Sequence, residues 1–426
     1  MSGPRVTPHA SSKAAVLDVI RAAGTISRVG LANATGLTGA TISTTVRKLI
    51  DEGLVVETGH AESTGGKRRV LLRLNESARF AVGVHLDQDR ITYALTDLNG
   101  SVVARISRLG AAGDQPADVV RRMGREVAAL IAGAGVDRDR VLGVGLVAPG
   151  RLTAGGGFRV APPPLRRWQD FPVDDALTGA TGLPVVVGND ATAAALGEHW
   201  SGGVSDAGTF AALYMGSGIG AGLVVGGLTY TGASGEAGEI GHACLDVDGP
   251  LCWCGARGCL EVLAGPAVVV AAARADRALA RAIGLAGRGL LHRDSVAADF
   301  AAISRAARRG ESGAVALLER SGRYLAAAAR TLANVMDVAV LVLTGPSFAV
   351  AGSLYLPVVQ AELDTAFVGR SAHRVEVRLS PSAASASAIG GAAMVLQSEL
   401  VPLHTGERLP GDLTVPEPPP VAVQVS

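Results

Sequence analysis

All four cysteines of this 426-residue chain fall between positions 244 and 259. Three of them, Cys252, Cys254 and Cys259, are spaced C-x-C-x4-C, and His242 stands ten residues before the first. Three thiolates and one further ligand make a closed tetrahedral shell for Zn²⁺. That is the mark of a structural site, because no coordination position stays open for water or substrate. On spacing alone the fourth ligand is His242 or Cys244. Gly255 and Gly258 let so short a loop fold tightly around an ion. A disulfide framework would need oxidising surroundings, which nothing else in the sequence suggests. The expectation is one structural zinc per chain.

Two other stretches carry groups that do chemistry. The segment PVVVGND ends in Asn189-Asp190, at the end of an apolar strand, where ligand groups gather in α/β folds. Taken alone, Asp190 would serve as the N-cap of the helix ATAAALGEHW. Gly216-Ser217-Gly218-Ile219-Gly220 is a glycine turn that suits a phosphate and equally suits a tight hairpin.

The elements that must hold these groups divide the chain by charge. Through Asn75 there are ten Lys or Arg against five Asp or Glu, a net +5; the remainder has 29 against 33, a net −4. A basic head on a mildly acidic body is the asymmetry of a DNA-binding module joined to another function. The head is expected to span residues 12–76. Val16, Leu17 and Ile20 mark a first helix over Ser12 to Ala23, and Ser27 caps a second that stops at Gly36. Thr38 caps a third, through Glu52, with Ile42, Val46, Leu49 and Ile50 as its buried stripe. Two strands, LVVETG and RRVLLRLN, flank a glycine-bearing loop. The pattern is a winged helix-turn-helix. Thr41, Ser43, Thr44 and Arg47 lie on or near the outer face of the third helix, where small hydroxyls allow close approach to the major groove. Lys67 and Arg68 are placed on the wing.

The body, from Phe80, opens with a strand–turn–strand–turn–strand unit turning at Asn99-Gly100; a second such unit starts at Phe210 and turns at Gly226-Gly227. The repetition predicts a duplicated α/β lobe around a cleft. Helices are expected over Pro116 to Gly133, Ala191 to Trp200 and Pro266 to Arg281, and in an Ala-rich stretch through Ala333. Aromatics are 4% and hydrophobic residues 48%, so the cores are aliphatic. Residues 1–11 are expected to be a flexible N-terminus and 401–426 a disordered, proline-rich tail. There is no apolar core of signal-peptide length and no run of about 18 apolar residues, so a soluble, cytoplasmic protein without membrane contact is expected.

Head and body together resemble the ROK family (repressor, open reading frame, kinase) in its transcriptional-regulator branch, of the xylose-repressor and N-acetylglucosamine-repressor type. The resemblance spans about residues 12–400. It implies a winged helix-turn-helix followed by a two-lobed, actin-like sugar-kinase fold of ribonuclease-H-like halves. The lobes would cover about 80–200 with 383–400, and about 201–382. It implies sugar contacts by Asn189, Asp190, Glu239, His242 and Glu261, and it selects His242 over Cys244 as the zinc ligand. In family kinases the residue matching Asp190 is the general base; here it is expected to be vestigial, with no catalytic residue. The family's Asp-x-Gly-Gly-Thr phosphate turn is replaced by His85-Leu86-Asp87-Gln88-Asp89, which has carboxylates where glycines would approach phosphates. Thr344-Gly345-Pro346 stands near the family's adenosine-contacting double glycine, and Pro346 removes a backbone donor. Pro162-Pro163-Pro164-Leu165 ahead of Trp168 lacks the family's sugar-contacting Asn. The function expected is a sugar-responsive repressor of carbohydrate genes, released from operator DNA by a sugar or sugar phosphate and acting as a homodimer or homotetramer. The rival is a hexose kinase carrying a DNA-binding head.

Overall fold

The structure, a computed structural model, describes residues 12–400 except 61–68, 112, 154–156, 161, 202–203, 205–207, 236 and 286–294. The expected N-terminus and tail, and Lys67 and Arg68 on the wing, lie outside the described residues.

The head forms α1 (Ser12–Ala23), β1 (Ile26–Ser27), α2 (Arg28–Thr35), α3 (Gly39–Asp51), β2 (Val55–His60) and β3 (Val70–Leu74). Local chemistry sets its boundaries. Ser27 Oγ accepts from Gly30 N, and Gly36 closes α2 in the left-handed conformation (φ 71°). Thr38 Oγ1 accepts from Thr41 N to start α3. Ile42, Val46 and Leu49 are fully buried, whereas Ile50 is only half-buried. β1 was not anticipated; it pairs with β3 to complete a three-stranded wing sheet.

The body opens with β4 (Phe80–Leu86), β5 (Arg90–Asp97), β6 (Val102–Leu109), α4 (Pro116–Gly133), β7 (Val141–Ala148), β8 (Arg151–Thr153) and β9 (Gly157–Val160). α5 (Val173–Thr181), β10 (Val185–Asn189) and α6 (Asp190–Trp200) follow. Next come β11 (Thr209–Met215), β12 (Ile219–Val225), β13 (Leu228–Thr229), α7 (Leu260–Ala264), α8 (Pro266–Ala275), α9 (Arg277–Ala282) and α10 (Val296–Arg308). The chain finishes with α11 (Ser312–Met336), β14 (Val340–Thr344), α12 (Pro346–Ala366), β15 (Glu376–Leu379) and α13 (Ala386–Leu400). The helix expected over Pro266 to Arg281 is two helices. The carboxylate of Asp276 accepts from Ala278 N and Leu279 N and so restarts the helix at Arg277.

Strand order in the first sheet is β10-β7-β4-β5-β6, and in the second β13-β12-β11-β14-β15. Each has three antiparallel strands in succession and then two parallel ones, the same wiring twice. Between the sheets lie α6 and α13, lined with small residues. A Cβ on Gly390 would sit 1.6 Å from the Ala193 carbonyl oxygen, and one on Gly83 would sit 1.6 Å from that of Ala388. Only glycine permits so close an approach. The head is not a separate bead. Val16, Ile20, Leu31 and Leu49 share one apolar cluster with Leu98, Ala392, Val395 and Leu396 of the body. No helix among the described residues is long and apolar enough to cross a membrane.

Candidate functional site: a carboxylate-lined cleft beside a Cys3His cluster

A cleft of about 740 Å³ opens where the two sheets face each other, a size ordinary for small-molecule sites. Its lining includes Asn189, Asp190, Glu239, His242 and Glu261, so the five expected sugar contacts share one cavity. Pro162 and Pro163 form part of its wall, where the resemblance would have an amide.

Each polar group is held by its own local geometry. Asn189, not Asp190, is the N-cap of α6: its Oδ1 accepts from Ala191 N and Thr192 N, while Nδ2 donates to the Gly150 carbonyl at 3.2 Å. Asp190 is the first residue inside the helix and is 5% exposed. Its Oδ2 lies 3.4 Å from His85 Nε2, and the Tyr214 hydroxyl lies 3.3 Å from the same nitrogen. Burial disfavours the imidazolium of His85, but the bond to Asp190 and the charges of Asp190 and Asp87 outweigh it and hold His85 above its ordinary value. Burial likewise raises the carboxyl of Asp87, against the pull of His85.

Glu261 is tied on both oxygens: Oε2 accepts from Ile219 N at 3.1 Å and Oε1 from the indole N–H of Trp253 at 2.7 Å. A carboxylate has about four acceptor sites, so capacity remains for a ligand. The indole of Trp253 also stands edge-to-face to His242, centroids 4.9 Å apart. Trp253, Tyr214 and His85 belong to the site although spacing did not assign them to a ligand. The position of Trp253 inside C-x-C was the one sequence signal for it.

The turn over residues 85–89 and the glycine turn over 216–220 touch, with the Ser217 hydroxyl bonded to Asp87. Asp89 Oδ2 accepts from Ser295 Oγ and Ala297 N, both at 3.0 Å, and so caps α10 from the opposite half. Pro346 begins α12, and Ser347 Oγ donates to the Gly216 carbonyl.

The ligand atoms of His242, Cys252, Cys254 and Cys259 all lie within 4.8 Å of one another, and Cys244 is not among them. Cys254 Sγ is 3.7 Å from Cys259 Sγ, and Cys252 Sγ is 3.6 Å from His242 Nδ1. A tetrahedral zinc with ordinary bond lengths sets its ligand atoms about 3.5–3.8 Å apart, so these edges fit the ion. Burial pushes the Cys259 thiol up to about 12, and its thiol neighbours reinforce that. A bound cation would reverse this, since metal binding draws the proton from each thiol.

In the head, Ser43, Thr44 and Arg47 are exposed on α3; Thr41 is half-buried and shares a hydroxyl contact with Thr38 at 2.9 Å, within the cap. Head meets body at a polar contact too. The guanidinium of Arg21 lies 4.7 Å from the Trp200 ring centroid, and its Nη1 donates to the Trp200 carbonyl.

Residues 81–398 match the ROK family, and residues 13–56 match winged helix-turn-helix DNA-binding domains. The chain is 35% identical over 250 residues to the putative xylose repressor of Caldicellulosiruptor sp. (strain Rt8B.4), a match covering 59% of this chain and 62% of that relative's length. The crystal structure of a ROK family transcriptional regulator, a homologue of the E. coli MLC protein, superposes with a TM-score of 0.69 at 25% identity. It covers 92% of this chain and 98% of that one. A ROK family glucokinase from Streptomyces griseus, in complex with glucose and AMPPNP, gives 0.62 at 26% identity, covering 74% and 98%. The family thus holds both regulators and kinases on this fold. This chain is a member of the ROK family, with a winged helix-turn-helix head ahead of the family's two-halved α/β body.

Proposed function

We propose that this protein is a cytoplasmic, sugar-responsive transcriptional repressor of carbohydrate uptake or catabolism genes. One observation carries the reading: α6 begins at Asn189-Asp190 in the cleft and ends at Trp200, against Arg21 of the head. A sugar bridging the two halves would change their spacing, and α6 would pass the change to the head over about 16 Å. Coupling requires that the sugar bind the operator-bound and free states unequally. The relative named a xylose repressor and the MLC homologue support the same reading.

Asn189, Asp190, Glu239, His242 and Glu261 are assigned to the sugar. The lining is rich in carboxylates, which favours a neutral sugar over its phosphate. His242 would hold Zn²⁺ through Nδ1, leaving Nε2 for a hydroxyl; bound zinc would fix the loop that carries His242 and joins Glu239 to Glu261. Thr41, Ser43, Thr44 and Arg47, with Lys67 and Arg68 of the wing, are assigned to operator DNA, read by a symmetric homodimer or a homotetramer. The test is a gel shift with DNA selected from random sequence, titrated with sugars that raise the melting temperature. Operator affinity unchanged by every sugar that binds would overturn the reading.

The second reading is a hexose kinase, favoured by Asp190 in the cleft and by the retained glycine turn. Against it, the Asp190 carboxylate is engaged by His85 Nε2 at 3.4 Å, and the turn over residues 87–89 spends its carboxylates on protein partners. ATP turnover with any hexose, abolished by Asp190→Ala, would establish the kinase instead.

A further inference from the structure

Beside Asn189 lies a second cavity, of about 420 Å³, and Gly150, Arg151, Asn189 and Glu239 line both it and the main cleft, so the two adjoin. The Asn189 side chain, bonded to the Gly150 carbonyl, stands at their junction. From there the cavity runs between α6 and α13. Val187, Leu196 and Met394 give it apolar surface, and Thr192, Thr231 and Gln397 give it hydroxyls and an amide. Away from the shared Arg151 and Glu239, its lining holds no charged residue among those described. Among the described residues, neither the Thr192 hydroxyl nor the Gln397 amide has a hydrogen-bond partner within the protein. Met394 Cε lies 2.6 Å from where a Cβ of Gly188 would be, so a flexible thioether forms one face.

Neutral walls that mix aliphatic patches with unspent hydroxyl and amide groups suit a ring with apolar faces and polar edges. We propose that this cavity is a second subsite, which takes the next unit of a neutral oligosaccharide whose first unit occupies the main cleft. The inference rests on the sugar reading of that cleft. It has a consequence for signalling: Met394 and Gln397 lie on α13, whose neighbours Val395 and Leu396 are in the apolar cluster of the head. A two-unit ligand would therefore touch the helix on which the head is seated, whereas a single unit in the main cleft would not.

Calorimetry on the full chain decides it, with xylose, glucose and N-acetylglucosamine each compared with its β-1,4-linked dimer. Wild type should bind at least one dimer ten-fold or more tighter than its monomer. Gln397→Trp, which fills the cavity, should abolish that advantage and leave monomer affinity unchanged. Thr231→Trp, on an exposed loop that tolerates a large side chain, should do the same. Monomers that bind while no dimer binds tighter overturn the subsite and leave the sugar reading intact. An advantage that survives both substitutions overturns it as well. Failure of every monomer and dimer to bind removes the sugar reading together with the subsite.

Discussion

Arg21 and Trp200, 179 residues apart in sequence, form a cation–π contact at the junction of head and body, with the guanidinium 4.7 Å from the ring centroid. The side chain of Arg21 is only 6% exposed, so the contact is sheltered from water and strengthened accordingly. Trp200 also roofs Gly100, where a Cβ would lie 3.1 Å from its ring. The end of α6 is therefore wedged between the hairpin of the first sheet and the first helix of the head.

Arg21→Ala should cost about 1–2 kcal/mol of stability in urea unfolding. Operator binding without sugar should survive, because α3 is untouched. The change in operator affinity on adding sugar should shrink several-fold in a gel shift. An undiminished sugar response would show that the signal reaches the head through the apolar cluster alone.

Gly390→Ala should be among the most damaging single-methyl additions in the chain. The new Cβ would stand 1.6 Å from the Ala193 carbonyl oxygen, forcing α6 and α13 apart at a cost of about 3 kcal/mol. Gly179→Ala, at an exposed helical position with nothing within 4 Å, should instead gain about 0.5–1 kcal/mol. Urea midpoints of the two variants against wild type check both signs.

His85 makes stability depend on pH with a definite sign. Its folded-state value is raised above 6.5, so the protonated imidazole paired with Asp190 contributes stability that is fully present below about pH 6.5. That contribution is lost as pH rises through the folded-state value. The melting temperature of wild type minus that of His85→Gln should be largest at acidic pH and shrink steadily above pH 6.5. A difference that grows with pH would mean that the pair is not charged.

Cys254→Ser should remove the metal, measurable by elemental analysis of the purified protein. Loss of one of four ligands frees the loop that carries His242 and Trp253, and Glu261 loses the indole that holds it. Sugar affinity should fall at least ten-fold, while operator binding without sugar should persist. Normal sugar affinity in a zinc-free variant would refute the buttressing role.

Much of the frame was legible because its causes are local. Ser27, Gly36 and Thr38 act within one helical turn, so their types and positions announced the boundaries of the head. The hairpin turns at Asn99-Gly100 and Gly226-Gly227 followed from glycine's access to positive φ. Asp276 was missed because helical periodicity outweighed a single capping carboxylate that restarts the helix. The wing strand β1 was missed because two residues carry no readable alternation.

The site divides the same way. The close spacing of Cys252, Cys254 and Cys259 announced three members of the candidate metal cluster, and the resemblance chose His242 over Cys244 as the fourth. The resemblance, carried by the order of the motifs, also named five of the residues that line the cleft, Asn189, Asp190, Glu239, His242 and Glu261. Only the tertiary structure decided what those residues do with their hydrogen bonds: Asn189 capping α6 and tying Gly150, Glu261 gripping Trp253 and Ile219, His85 neutralising Asp190. It alone also set Arg21 on Trp200 and opened the cavity between α6 and α13. The reason is physical. A carboxylate or amide has more bonding capacity than any one partner uses, and burial, not spacing, selects the partners.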